Sequence, residues 1–236
     1  MLKEVSMSRV TQTTPNQEWM KAADNRLGQW LDTMSRLPVI LDAQRGALDP
    51  EMSRRFLLQI GKGVIEAFPE WLNNMLVRAD EHHQVQLFLR ANRREKSDHW
   101  LWWKYMAAHF NLNELDFKHA RITDPCVAEL NQWLTTASRE FPLAFAMSAL
   151  HFVIETGAAR LAALVAPAMR RKLSARQSQW IEAHTSWDPD HSVGREIIKS
   201  ILATDPEGQK KFVRSITFTA SRFTNALDSA YDDTHV

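Results

Sequence analysis

Apolar residues recur at three- and four-residue intervals along most of this chain, and the strict alternation of a half-buried strand is nearly absent. The pattern predicts a run of helices. The first starts near Asn16, turns Trp19, Leu27, Trp30, Leu31 and Met34 inward, and is interrupted at Pro38. A second runs from about Asp49 to about Val77, with Asp49 as N-cap and Pro50 in the first turn. Its Phe68-Pro69 step is expected to kink or split it, because proline cannot donate to the helical ladder. A third, from about Asp80 to Phe110, carries Leu87, Leu89, Trp100, Trp103 and Met106. Asp124-Pro125 opens a fourth that ends near Glu140. A fifth, from Leu143 to about Val165, is apolar almost all round, the mark of a buried helix. Ser174 is the expected cap of a sixth that passes through Trp180 and His184, and Asp205-Pro206 opens the last, to about Tyr231. Residues 1–16 read as a flexible arm and residues 17–236 as one all-α domain of seven or so helices.

Composition narrows the class without naming a function. The chain has 236 residues, 44% hydrophobic and 24% charged, enough for a sizeable core. A formal net charge of +1 gives no electrostatic case for nucleic acid or an anionic membrane surface. No uninterrupted apolar run reaches the ~18 residues of a membrane span, and the first residues lack the apolar stretch of a signal peptide. The single cysteine, Cys126, excludes an intramolecular disulfide or a cysteine-rich metal site, and the cytoplasm is the expected setting. Nine tryptophans are many for this length and would serve as bulky core or as the wall of a pocket.

Candidate chemistry is densest at His184-Thr185-Ser186-Trp187-Asp188-Pro189-Asp190-His191. On a helix turning about 100° per residue, His184, Asp188 and His191 fall at roughly 0°, 40° and 340°, within one stripe. Two imidazoles and a carboxylate are a ligand set of non-haem iron. Pro189 complicates the stripe, because it disfavours helical backbone at Asp188 and predicts a kink or bulge. If Asp188 instead caps a new helix, its carboxylate is spent on backbone amides and Asp190 is the substitute.

Three other helices offer partners. Glu95 and His99 are spaced i, i+4 just before Trp100, Trp102 and Trp103; the alternative for this charged stretch is a solvated turn. Glu155 lies on the nearly all-apolar fifth helix, where a carboxylate needs a metal or an ion pair, Arg160 being one candidate partner. His151, one turn earlier, reads as a core or supporting histidine. Glu66, among apolar residues of the second helix, is a further carboxylate candidate or simply a helix-face residue. Three imidazoles and several carboxylates from facing helices match the way bundles build dinuclear carboxylate sites.

With these residues in place, the chain resembles the haem-oxygenase-like diiron oxidases and oxygenases, relatives of the TenA and PqqC folds. The resemblance covers roughly residues 20 to 230. It rests on His-x3-Asp-x2-His at His184, Asp188 and His191, on Glu155 about thirty residues earlier, and on His99 some fifty-five residues before that. It implies a single-domain all-α bundle of seven to eight helices that binds two Fe(II) ions and takes dioxygen as co-substrate. The implied ligands are Glu95, His99, Glu155, His184, Asp188 and His191, with Glu66 as an additional carboxylate. The implied reactions are N-oxygenation, oxidative decarboxylation or C–C cleavage of a small amino-acid-like or fatty-acid-like molecule in specialised metabolism. The expected partners are that substrate and, as candidates, an external reductant and a second copy of the chain; no nucleic acid or membrane is expected. Trp100, Trp102, Trp103 and Trp187 flank the ligands as candidate pocket walls.

Competing functions remain. A TenA-like thiamin-salvage hydrolase would need a nucleophilic cysteine, for which Cys126 at a helix start is the only candidate. A PqqC-like oxidase would work without a cofactor. A non-catalytic helical binding protein would use the same carboxylates and histidines as ion pairs.

Overall fold

The structure is a computed structural model, and it describes residues 15–80, 82–186 and 190–232; the side chains of 15–17 and 190–193 are not among what is described. Its described residues form thirteen α-helices joined by short turns. They are α1 (Pro15–Met34), α2 (Pro38–Arg45), α3 (Pro50–Ile60), α4 (Phe68–Arg78), α5 (His83–Lys96), α6 (His99–Ala107) and α7 (Glu114–His119). After these come α8 (Pro125–Glu140), α9 (Leu143–Met147), α10 (Thr156–Met169), α11 (Gln179–Thr185), α12 (Asp190–Ile201) and α13 (Pro206–Tyr231). Three pairs, α3 with α4, α5 with α6 and α9 with α10, follow each other across a π or two-residue turn, which leaves about ten rods among the described residues, more than the seven to eight expected. Residues 1–14 of the expected arm lie outside the described residues.

The helix starts follow their caps. Asp49 accepts hydrogen bonds from the backbone N–H groups of Glu51 and Met52, and Asp124 from those of Cys126 and Val127. Asp205 accepts from Gly208, so each of these three aspartates before a proline acts as an N-cap. Pro69 sits in the first turn of α4, which splits the second rod as its sequence predicts. Ser174 does not open α11. Residues 174–178 form a turn in which Ser174 and Gln177 bond to each other, and the helix starts five residues later, at Gln179.

Two rods are interrupted by π-helical turns, at Gly61–Ile65 and at Ser148–Glu155. In the first, Glu66 N–H donates five residues back to the Gly61 carbonyl at 2.9 Å. Such bulges add a residue to a turn and recur at functional sites. Glycine is required in the first for close approach. A Cβ on Gly61 would stand 2.7 Å from Trp103 Nε1, and one on Gly63 would stand 2.3 Å from a Val127 methyl.

α13 is the spine of the bundle, packed against α1, α3, α8 and the second π turn. α10 packs against α2 and α11, and α4 against α5 and α8. Large side chains with almost no exposure, among them Trp71, Phe117, Phe212 and Tyr231, fill the space between them. The rod Leu143–Met169 is long and apolar enough to cross a membrane by length and composition, a feature that counting uninterrupted apolar residues does not register. Most of it is buried in the bundle, which accounts for its apolarity.

Candidate functional site

The third predicted helix is broken, and the break builds the site. α5 ends at Lys96, Ser97 and Asp98 form a turn, and α6 begins at His99. Ser97 Oγ donates to the Arg94 carbonyl at 2.7 Å, the local side-chain bond by which serine competes with a continuing helix. The break corrects the expected pairing of Glu95 with His99 on one helical face. Lys96 and His99 are buried, whereas the Glu95 side chain is 41% exposed.

His99 meets His184 across the bundle, their ring centroids 4.8 Å apart. His184 lies one residue before the end of α11, and its Nδ1 is 2.7 Å from the Trp180 carbonyl oxygen. A carbonyl only accepts, so Nδ1 is the donor, and the neutral ring carries its lone pair on Nε2. The Trp180 ring lies 4.1 Å from the His184 ring, and Trp102 lies 5.0 Å from His99. His99 Nε2 is buried with no hydrogen-bond partner among the described residues.

Glu155 ends the second π turn and lines the same cavity as His99 and His184. Its Oε2 is 2.5 Å from Lys96 Nζ, with the two side chains 8% and 5% exposed. The ion pair predicted for a buried Glu155 therefore exists, but with Lys96 from another helix and not with Arg160, which is exposed. Lys96 Nζ is also 3.7 Å from Glu95 Oε1, so the ammonium is held between two carboxylates. His151 is buried edge-on to Phe88 at 4.9 Å, a core position.

These surroundings set the charges. Burial alone pushes the Glu155 carboxyl up, but the Lys96 ammonium by charge and hydrogen bond, with His184 and His151, pulls it down to about 2. Burial, then the Lys96 charge and His184, outweigh Glu155 and lower His99 to about 2. At neutral pH the cluster presents an ionised carboxylate, an ammonium and a neutral His99 imidazole.

The cluster faces a cavity of about 140 Å³. Its wall is otherwise apolar, built from α2, α3, α6, the second π turn and α13 with residues such as Ile40, Phe56, Met106, Ile154 and Leu227, and from α10. Lys96, His99, Glu155, His184 and Ser53 are its hydroxyl, imidazole and charged residues. Ser53 Oγ is buried with no hydrogen-bond partner among the described residues. An engineered apolar cavity of about 150 Å³ holds benzene, so the space suits a small organic molecule.

Not every predicted ligand joins the cluster. Glu66 is 40% exposed, ion-paired with Lys62 one turn earlier, and does not border the cavity. Its apolar neighbours misled because the π turn rotates the register there. Asp188 lies outside the described residues, as does Trp187, and the side chains of Asp190 and His191 are not described. Among the described residues α11 ends at Thr185 and α12 begins at Asp190, so His184 and His191 stand on different helices, and the expected kink at Pro189 lies outside the described residues. Of the candidate pocket walls, Trp103 lines the cavity, while Trp100 packs on Phe117 at 5.1 Å. Lys96 and Trp180 are the residues sequence reasoning missed. The signal for Lys96 was its i, i+3 spacing to His99, concealed in a run of charges that reads as solvated surface.

The donor types fit a metal ion. Two imidazoles and an ionised carboxylate are a non-haem iron set, and the orphaned His99 Nε2 and the tautomer fixed on His184 suit ligation. As described, Glu155 is engaged by Lys96, and among the described residues no three His, Cys, Asp or Glu side chains are grouped to hold an ion. Cys126 is half-buried in the first turn of α8 and does not border the cavity.

No family model matches the chain, and no curated protein matches its sequence. Solved structures do match its fold. A TenA homologue from Pseudomonas syringae pv. tomato superposes with a TM-score of 0.82 at 19% identity, over 92% of this chain and 97% of that one. A TenA homologue from P. horikoshii gives 0.72 at 12% identity, over 90% and 98%. A domain of unknown function with a haem-oxygenase-like fold from Shewanella denitrificans gives 0.72 at 11% identity, over 90% and 91%. At these identities the likeness concerns the fold, and the chain is a single-domain all-α protein with the haem-oxygenase-like fold that TenA homologues share.

Proposed function

We propose that the chain is an iron-dependent, oxygen-activating oxidase or oxygenase acting on a small molecule with an apolar body. The observation that carries this reading is that His99 and His184 face each other, ring centroids 4.8 Å apart, and border one otherwise apolar cavity together with Glu155. His99, His184 and Glu155 would hold iron, with Asp188 and His191 as the further ligands implied by the sequence. Iron held there would supply the electrons for dioxygen activation, chemistry no side chain here provides alone. The chain's own part is binding and exclusion. Trp180 orients His184 through its carbonyl, and the apolar wall keeps water from the reacting face. That lining favours the fatty-acid-like substrate class, since most of the wall is apolar and charge placed away from Lys96 and Glu155 would be left unpaired. The test is anaerobic loading with ferrous iron, followed by oxygen uptake with short fatty acids. Retained iron that falls at least tenfold in both His99→Ala and His184→Ala supports the reading. Wild-type protein that keeps no more iron than the variants contradicts it.

A second reading is favoured by the Lys96–Glu155 pair and by the TenA homologues among the structural matches. In it the chain is a metal-independent enzyme whose carboxylate, ammonium and imidazoles move protons on a bound substrate. The position of Cys126 away from the cavity leaves that reading without a thiol nucleophile at the site. Turnover that survives a strong chelator selects it over the iron-dependent one.

A further inference from the structure

The cavity has a polar side chain at each end. Two helices, α3 and α6, run antiparallel along it. Trp103 Nε1 donates to the Leu57 carbonyl at 2.9 Å, and Arg54 donates to the carbonyl of Phe110, just past the end of α6, at 3.0 Å. Ser53 precedes Arg54 and His99 opens α6, so these two cavity residues stand at opposite ends of the paired helices. Their backbones are separated by roughly eight residues of helix, or roughly 12 Å along the axes. Ser53 Oγ, His99 Nε2 and Trp180 Nε1 are buried without a hydrogen-bond partner among the described residues, and all three side chains border this cavity. A buried polar atom left unpaired costs stability, so their gathering around one cavity points to a ligand that supplies the partners. Trp180 belongs to the His99 end, its ring 4.1 Å from His184, which is 4.8 Å from His99.

We infer that the cavity takes a small elongated molecule that is polar at both ends, with a carboxylate head at the His99 end and an uncharged oxygen, hydroxyl or carbonyl, on Ser53. This rests on the fatty-acid-like substrate class proposed above and narrows it to chains oxygenated at the far end. Ser53 is then the specificity-determining residue. A serine hydroxyl both donates and accepts, and one rotation about χ1 turns it to a new partner. Charge sorts the two ends. The cation that borders the cavity, Lys96, closes α5 just before His99, so a head carboxylate meets it there. A second carboxylate at Ser53 would be a buried charge with no cation beside it on the cavity wall. Size limits the body. A cavity of about 140 Å³ suits a chain of about six carbons, close to the benzene that a similar engineered space holds.

The experiment compares three six-carbon acids, hexanoate, 6-hydroxyhexanoate and adipate, by calorimetric titration of the full chain at neutral pH. Wild type is expected to bind 6-hydroxyhexanoate about tenfold more tightly than hexanoate, the worth of one hydrogen bond, and adipate more weakly than either. In Ser53→Ala the preference is expected to vanish through lost affinity for the hydroxy acid alone. The melting temperature of the ligand-free variant should not fall, because no hydrogen bond is removed. Equal affinity of wild type for hexanoate and 6-hydroxyhexanoate overturns the inference and leaves the fatty-acid-like reading standing. Adipate bound as tightly as the hydroxy acid, or a preference that survives Ser53→Ala, overturns it as well. Silence toward all three acids overturns the substrate class itself, while iron retention is read separately. If Ser53→Ala does not fold, Ser53→Cys, a weaker donor of similar size, replaces it with the same expected loss of preference. If neither folds, the wild-type ranking of the three acids decides.

Discussion

The two π-helical turns of the bundle each carry a glutamate in an ion pair with a lysine, and they are otherwise opposites. The first, Gly61–Ile65, is followed by Glu66, paired with Lys62 on the same helix and open to solvent. The second, Ser148–Glu155, ends in Glu155, paired with Lys96 from a different helix and buried. A surface pair within one helix contributes little, because water screens both charges before and after folding. A buried pair between helices is costly to form and far more costly to break, because removing one partner strands the other charge. The first turn serves the site by its backbone instead. Gly61 admits Trp103 at close range, Trp103 packs on Trp180 at 5.0 Å, and Trp180 packs on His184. One turn contributes a close approach and the other a carboxylate.

The largest effect expected from breaking this contrast is at Glu155. Glu155→Ala leaves Lys96 buried without its nearest carboxylate and is expected to destabilise the iron-free protein by about 3–5 kcal/mol in urea unfolding. Replacing both partners, as Lys96→Met with Glu155→Leu, is expected to recover most of that loss. A double variant no more stable than Glu155→Ala would contradict the ion-pair account.

Gly61→Ala ranks next. Its methyl group would meet Trp103 Nε1, whose hydrogen bond to the Leu57 carbonyl is 2.9 Å long. A loss of about 1–3 kcal/mol is expected, as for other overpacked cores, together with a changed tryptophan fluorescence. An unchanged unfolding midpoint would show that the approach is not tight.

Acid tests the burial of the cluster. His99 has a folded pKa of about 2 against an ordinary 6.5, so between those values the unfolded chain binds the extra proton. The stabilisation is complete above about pH 6.5 and is lost as pH falls toward 2, at up to about 1.4 kcal/mol per pH unit. The melting temperature of iron-free protein should fall between pH 7 and pH 5, and fall less in His99→Gln. Glu155, lowered from 4.5 to about 2, weakens the fold only at lower pH, so the two contributions separate. The smallest effect is at Glu66, where Glu66→Ala should cost about 0–1 kcal/mol and leave iron retention unchanged. Loss of iron in that variant would return Glu66 to the site.

The sequence made the helical rods legible because their signals are local. Asp49, Asp124 and Asp205 before prolines, and the apolar rod around Glu155, each state their role within a few residues. His99, Glu155 and His184 were legible as a cluster for a related reason, since polar groups on buried helices need partners. What stayed hidden depends on register. A turn at Ser97-Asp98 and a π turn at Gly61–Ile65 rotate Lys96 inward and Glu66 outward, against the even helical period that a sequence pattern assumes. Ser174 misled in the same way, its side chain bonding to Gln177 in a turn and not to the first turn of α11.

The central proposal is that the cavity bordered by His99, His184 and Glu155 takes up iron. X-ray diffraction from crystals of ferrous-loaded protein at the iron edge tests it most directly. The proposal predicts an anomalous peak at the cavity wall beside His99 and His184. No peak beside those histidines would contradict it.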